Sequence, residues 1–371
     1  MQIKSTSKKV STFKNFFKKI TKIAFKRKNT TIFLVGFSPW KRCFKKYFSE
    51  CNLIFIPKNI SELEFGNKYI KKILIHKLKC QIFIWGYKSP AFIRDFIAKE
   101  NIPTKYVEDG FIRSVQLGSS KTPPLSLCLD SKAPYFDASR PSELEELLNH
   151  YDFDKNPDLI REAKLGIQLL CDLGISKYNH TSPVSIAQLY GQKKGKRVLV
   201  LGQVEDDASI TYGCKKRLTN NDLVRLAVNE NPEAQVIYKP HPDVLNGNRP
   251  CLSNPNEVSD ICMVLTQDIP LANALETIDH VYTITSLSGF EALLRGIKVT
   301  TLGSPFYAGW GLTDDRQKNE RRVRKLKLEQ LFAIAYLVYP KYFDFATGRQ
   351  ILFFNIVNIL RKNNLDTSSQ L

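Results

Sequence analysis

The sequence predicts an α/β protein of two Rossmann-like domains facing a cleft, preceded by a basic amphipathic helix. Short continuous apolar runs, the mark of parallel strands buried on both faces, alternate with stretches of helical length. That alternation pauses at the basic, glycine-bearing segment 191–197, GQKKGKR, and then restarts. The expected divisions are therefore 1–30 for the helix, 31–190 and 191–345 for the two domains, and 346–371 for a C-terminal helix and tail.

Taken in order, TIFLVG (31–36) is a strand ending in Gly36, followed by the basic, aromatic KRCFKKYF. NLIFIP (52–57) is a second strand, ISELEFGNKYIKKILIHKL a helix, and CQIFIWG (80–86) a third strand. SPAFIRDFIAKE reads as a helix capped by Ser89 with Pro90 at its first position. KYVEDGFIRS (105–114) begins as a strand and breaks at Gly110, and PPLSLCLDS (123–131) is another strand. PSELEELLNHY opens a helix with Ser142 as its cap. After the linker come RVLVLG (strand), NDLVRLAVNENP (helix), AQVIYKPHP (strand), LANALETID (helix), VYTITS (strand), SGFEALLRG (helix) and KVTTLG (strand). Strand–helix alternation of this kind predicts parallel sheets covered by helices on both faces.

Composition sets the class. The 371 residues suffice for two domains and a substantial core, and 43% hydrophobic with 25% charged residues is globular. The formal charge of +19 is uneven: ten Lys/Arg fall within residues 1–28, and the first acid is Glu50. In VSTFKNFFKKITKIAFK (10–26) the apolar residues recur at helical spacing with lysine opposite. That pattern reads as an in-plane anchor on anionic lipid; a helix packed on the body with its lysines in water is the alternative. No module interleaving aromatic and basic residues accompanies it, so nucleic acid is not an expected partner. The eight cysteines lack any CxxC pair and read as free thiols in a reducing compartment. No apolar run approaches the ~18 residues of a spanning helix, and the N-terminus lacks the pattern of a secretory signal.

The chemistry concentrates at the carboxyl ends of strands, where open α/β sheets bind their ligands. The buried run Val198–Leu201 leads to Gly202, Gln203 and three acids, Glu205, Asp206 and Asp207. A carboxylate there serves as nucleophile, general base or metal ligand, or simply caps a helix. On an extended segment alternate residues point to opposite faces, which sets Glu205 and Asp207 on one side. YKPHPD (238–243) offers Lys239 and His241, each fixed by a following proline, to a phosphate or carboxylate, or else forms a surface turn. ITSLSGFEALLRG (284–296) passes from strand to helix through Ser286, Ser288 and Gly289, an anion site suited to a nucleotide phosphate. Glu291 beyond it would face a ribose hydroxyl. PFYAGWG (305–311) flanks Trp310 with glycines, a loop shaped for close packing at a cleft, which puts Tyr307 and Trp310 on the substrate side. VEDGFIRS (107–114) sets Glu108, Asp109, Arg113 and Ser114 around a turn, with an internal Asp–Arg pair as the plainer alternative. No acidic pair stands at metal-ligand spacing, so neither metal nor cofactor is expected.

Together VEDGFIRSVQLGS, PPLSLCLDS, YFDASRPSELEELL, SKYN, GQVEDDASITYG, KPHPDVL and TSLSGFEALLRGIKVTTLGSPFYAGWGLTDDR resemble the capsular polysaccharide β-Kdo transferases of the KpsC/LipB type, from about residue 80 to 318. The resemblance implies a GT-B-like glycosyltransferase that moves Kdo from CMP-β-Kdo with retention. Its acceptor would be a glycolipid or polysaccharide in capsule or lipopolysaccharide biosynthesis. It implies acceptor binding in the first domain and CMP-sugar binding in the second, and work at the cytoplasmic face of the inner membrane beside capsule assembly and export proteins. By the same match Asp207 is the covalent nucleophile and Glu108 the acid/base. Lys239 and His241 hold the donor phosphate, Ser286, Ser288, Gly289 and Glu291 form the CMP pocket with Gln203, and Asp109, Arg113 and Ser114 lie on the substrate side. The family commonly carries two such modules in tandem and this chain has one, so a single linkage is expected. Retention at a crowded ketosidic carbon is reached most simply by two inversions, which requires an enzymic carboxylate opposite the CMP. A non-catalytic export component and a transferase for another CMP-activated keto sugar, such as a sialic acid, are the other readings.

Overall fold

The computed structural model describes residues 30–114, 121–177 and 184–368. The basic segment expected to form an N-terminal helix lies outside them. The chain divides into two compact units, Met1–Thr104 and Lys105–Leu371. Mixed α/β structure fills both, as the sequence predicts, and no described helix is long and apolar enough to cross a membrane.

In the first unit three parallel strands run in the order β2 (Asn52–Phe55), β1 (Thr31–Val35), β3 (Cys80–Trp85). The central β1 is buried along its whole length, which is why TIFLV carries no polar alternation. Its carboxyl end turns through an aromatic cluster in which Phe37 meets Phe44 and Trp85 edge-on at 5.0 and 5.3 Å. Helix α1 (Ala91–Glu100) begins one residue later than expected: Pro90, not Ser89, holds the cap position.

The second unit contains two sheets. Four strands run antiparallel in the order β4 (Thr104–Asp109), β5 (Ser126–Asp130), β12 (Lys341–Phe343), β13 (Gln350–Ile351). This corrects the expectation of parallel strands here, because the chain returns from β4 to β5 without a crossover helix. The six-stranded sheet is wholly parallel: β11 (Asp314–Asp315), β10 (Lys298–Thr301), β9 (His280–Thr283), β6 (Arg197–Leu201), β7 (Gln235–Lys239), β8 (Met263–Val264). The segment 191–197 does not part the compact units. Residues 105–190 belong to the second unit because helices α2 (Glu143–His150) and α3 (Pro157–Asp172) share one core with residues 199–360, including Leu148, Leu170, Phe290, Phe332 and Tyr336. α3 comes near enough that a Cβ on Gly166 would meet the Phe332 ring at 2.7 Å.

Register positions the functional loops. Leu201 of β6 lies opposite Lys239 of β7 and Thr283 of β9. The three strands therefore end level, and the segments carrying Gln203–Asp207, His241 and Thr285–Ser288 emerge side by side.

Candidate active site

After β6 the chain leaves extended geometry, so the three acids do not alternate as a strand would direct them; each has its own task. Glu205 Oε1 accepts the Asn220 backbone N–H at 2.6 Å and the Ser253 hydroxyl at 2.5 Å, anchoring the start of α5 (Asn220–Glu230). Asp206 pairs at the surface with Arg249 at 2.5 Å. Asp207 is exposed and caps α4 (Ala208–Gly213), its Oδ1 accepting the Ser209 N–H at 2.8 Å. The cap engages one oxygen and fixes the carboxylate's direction.

Gln203 is a brace. Its amide donates to Thr285 Oγ1 at 3.1 Å and accepts the Thr285 N–H at 2.7 Å, tying the β6 loop to the β9 loop. Lys239 is buried, and its ammonium lies 3.6 Å from Asp268. Burial lowers its proton affinity and Asp268 partly restores it. His241 begins α6 (Pro242–Leu245), and its Nδ1 lies 3.1 Å from the Asp243 backbone N–H. An amide can only donate, so Nδ1 carries the lone pair and the neutral ring presents Nε2–H outward. Burial pushes this imidazole down to about 4, against the pull of Asp243 and Asp207. His241 is thus a hydrogen-bond donor without charge at neutral pH. Beside it lies a small cleft lined by Gln203, Glu205, Tyr238 and the 250–253 segment.

Helix α7 (Leu287–Leu294) starts at Ser286, whose hydroxyl accepts the Ser288 N–H at 3.2 Å. Gly289 serves packing: a Cβ there would collide with the Tyr307 hydroxyl and meet Thr283 Cγ2 at 2.9 Å. Tyr307 and Trp310, expected at the substrate, are fully buried core residues. The Tyr307 hydroxyl donates to the Ser286 carbonyl at 2.5 Å and the Trp310 indole to the Phe306 carbonyl at 2.8 Å. The buried Arg322, which donates to the Ala308 carbonyl at 2.7 Å, holds their loop inside. Glu291 is also interior. Its Oε1 accepts from the Ser176 hydroxyl and the Lys177 N–H, both at 3.1 Å, and burial raises its pKa.

The second acid comes from β4. Glu108 stands opposite Cys128 and Asp109 opposite Leu127. Gly110 turns the chain where a Cβ would strike the Ser126 hydroxyl. Arg113 is buried: its Nε donates to Asp109 Oδ2 at 2.8 Å and its Nη1 to the Ser114 hydroxyl at 2.7 Å. Arg113 and Ser114 therefore serve this internal network, the plainer alternative the sequence offers. Both backbone amides donate to the Lys177 carbonyl, at 3.2 and 3.4 Å.

Sequence reasoning missed Tyr135. Its ring packs edge-on against Phe111 at 4.9 Å, and its phenol is pushed well above the usual range, first by burial, then by Cys128, Glu108, Asp109 and Asp207. Both candidate catalytic carboxylates thus act on one phenol, while Asp207 also acts on His241. The structure sets the segments bearing Gln203, Asp207, His241, Ser286 and Ser288 at neighbouring strand ends, and it sets Tyr307, Trp310 and Glu291 in the interior. Tyr135 has no spacing signal; its only mark is its place in YFD after Pro134. Among the described residues no cluster of three or more His, Cys, Asp or Glu is arranged to hold a metal ion.

Comparison with known proteins matches residues 81–180 and 175–342 to the family described as capsule polysaccharide biosynthesis protein. The lipopolysaccharide-processing protein LpsZ of Rhizobium meliloti is 47% identical over 313 residues, 84% of this chain and 70% of that protein. The capsule polysaccharide modification protein LipA of Neisseria meningitidis is 41% identical over 336 residues, 88% of this chain and 45% of LipA, so the chain spans under half of LipA's length. Among solved structures, the β-Kdo 2,4 transferase of Thermosulfurimonas dismutans KpsC aligns with a TM-score of 0.73 at 33% identity, covering 88% of this chain and 97% of that one. The β-Kdo 2,7 transferase of the same protein aligns at 0.68 and 31% identity, covering 90% and 99%.

Proposed function

Because the chain belongs to the capsule polysaccharide biosynthesis family, we propose that it is a glycosyltransferase moving Kdo in capsule or lipopolysaccharide assembly, with CMP-β-Kdo as donor and retention of configuration. The observation that carries this reading is the level ending of β6, β7 and β9, which sets the segments bearing Asp207, His241 and Ser286 side by side.

In the proposed mechanism Asp207 Oδ2 attacks the anomeric carbon of Kdo from the face opposite the nucleotide. The bond from that carbon to the phosphate oxygen breaks, CMP leaves with the electron pair, and a Kdo–aspartyl ester remains. Glu108 then takes the proton of the acceptor hydroxyl, whose oxygen attacks the same carbon and releases the Asp207 carboxylate. Two inversions give net retention. His241 Nε2–H donates to the donor phosphate, supported by Lys239 behind it and by the α7 start at Ser286, Ser288 and Gly289. Tyr135 is held neutral by burial and the nearby carboxylates, and Asp109, Arg113 and Ser114 hold the turn that presents Glu108. Charge on the leaving phosphate is met by these donors, so the scheme needs no metal or cofactor.

The acceptor is a glycolipid or saccharide, the site of action the cytoplasmic face of the inner membrane, and capsule assembly proteins the partners. The test is incubation with CMP-Kdo and candidate acceptors, followed by NMR of the product. A new β-ketoside supports the reading. Turnover of CMP-sialic acid alone would move the chain to another keto sugar, and no turnover of either would favour a non-catalytic role.

A further inference from the structure

The segment 62–79 of the first unit has two apolar faces. Its inward face is satisfied: Phe65 and Ile73 are buried, and Phe65 packs on Phe92 and Phe96 at 5.8 and 5.6 Å. Its outward face carries Leu74, Ile75 and Leu78, which are 40%, 67% and 94% exposed. Folding within the unit gives these three side chains no cover: Leu74 and Ile75 end the helical turn Lys71–Ile75, and Leu78 lies in the short turn Lys77–Lys79 that follows. Around them stand Lys71, Lys72 and Lys79, all exposed. Neighbouring Lys68 pairs with Glu64 at 2.6 Å and Lys77 with Glu100 at 3.3 Å, whereas among the described residues no carboxylate pairs with the other three.

We propose that this face is a docking surface for an anionic lipid surface, distinct from the active site and from residues 1–28. Aliphatic side chains ringed by unpaired ammonium groups match the acyl boundary and the phosphates of such a surface at once. The segment is too short and too charged to span, so it lies in the plane. Charge decides against two other occupants. A second copy in a two-fold contact would set these lysines against their own counterparts. Residues 1–28 carry ten cations and no acid, so they are repelled by the same ring.

The test uses the full chain and vesicles of phosphatidylcholine with or without one-third phosphatidylglycerol. The double variant Ile75→Glu/Leu78→Glu should bind the anionic vesicles about tenfold more weakly, while Val323→Glu, at an exposed valine of the second unit, should leave binding unchanged. Lys71→Ala/Lys72→Ala/Lys79→Ala should remove part of the salt dependence. Leu78→Trp decides the case even if the basic N-terminal segment alone holds the protein on vesicles. Its added emission should shift to the blue and be quenched by brominated phosphatidylglycerol. An introduced indole that stays water-exposed on vesicles overturns the proposal, and so does equal loss of binding with Val323→Glu. A glutamate pair that turns a dimer into a monomer overturns it in favour of a second copy.

Discussion

Glu291 Oε1 accepts the backbone N–H of Lys177 at 3.1 Å, and the Lys177 carbonyl in turn accepts from Arg113 and Ser114. This relay runs from the centre of α7 to the turn that carries Asp109 and Glu108. It gives Glu291 a role in positioning that turn, while its Oε2 has no partner among the described residues.

Glu291→Ala should therefore lower turnover more than it raises the KM for donor, because it frees the 176–177 segment while leaving the strand ends in place. The lost contacts should cost roughly 1–3 kcal/mol of stability. Glu291→Gln should be milder and should report on charge. Burial raises the native pKa of Glu291, so the folded state favours its protonated form. Its contribution to stability is present below the unfolded value near ~4.3 and falls as pH rises from there to the raised native value. Melting temperature against pH should lose that slope in Glu291→Gln.

Gly289→Ala should destabilise by roughly 1–3 kcal/mol through overpacking against the Tyr307 hydroxyl. Tyr307→Phe alone should cost about 1 kcal/mol for its bond to the Ser286 carbonyl. In the double variant the missing hydroxyl makes room for the new methyl, so the two losses should sum to less than their parts. Strict additivity in thermal melts would show that Gly289 is needed for something other than this contact.

The contrast between these residues shows what the chain makes legible. RVLVL announces β6 because both faces are buried and no polar residue interrupts it. The strand order that brings Leu201 level with Lys239 and Thr283 comes from the same grammar of parallel runs. Direction is another matter: SLCLD has the same apolar texture but runs antiparallel to β4, since nothing local in a strand encodes its neighbour's sense. PFYAGWG reads equally well as a cleft loop or a core loop; Arg322, which holds it from inside, stands beyond the motif. Tyr135 is invisible because its meaning comes from carboxylates on two other segments.

His241 should titrate far below an ordinary histidine. In the free protein, NMR of the ring nitrogens should show the Nε2–H tautomer at pH 7 and protonation only near about 4. With a lowered native pKa, the neutral ring's contribution to stability is present above the unfolded value of ~6.5 and is lost as pH falls from there towards 4. Donor binding should accordingly stay level between pH 8 and 6 as far as His241 is concerned. A fall in affinity as pH rises through ~6.5, absent from His241→Ala, would mean that a cationic ring binds the phosphate.

Asp207 offers the sharpest separation of structure from chemistry. An asparagine in its place would still accept the Ser209 N–H through its side-chain oxygen, so Asp207→Asn should keep the α4 cap and melt close to the parent. Asp207→Ala removes the cap and should lose about 1 kcal/mol. Both should nearly abolish transfer, because neither supplies a carboxylate to the anomeric carbon. Asp206→Asn breaks only an exposed pair with Arg249, worth ~0–1 kcal/mol, and should leave turnover nearly intact. Glu205→Gln should show its effect in the anchoring of α5 and not in the chemical step. With CMP-Kdo and a variant slowed in the second step, such as Glu108→Gln, intact-protein mass spectrometry should find one added Kdo on the peptide containing residue 207. An adduct on any other residue, or near-parent turnover by Asp207→Asn, would leave Asp207 as a helix cap and nothing more.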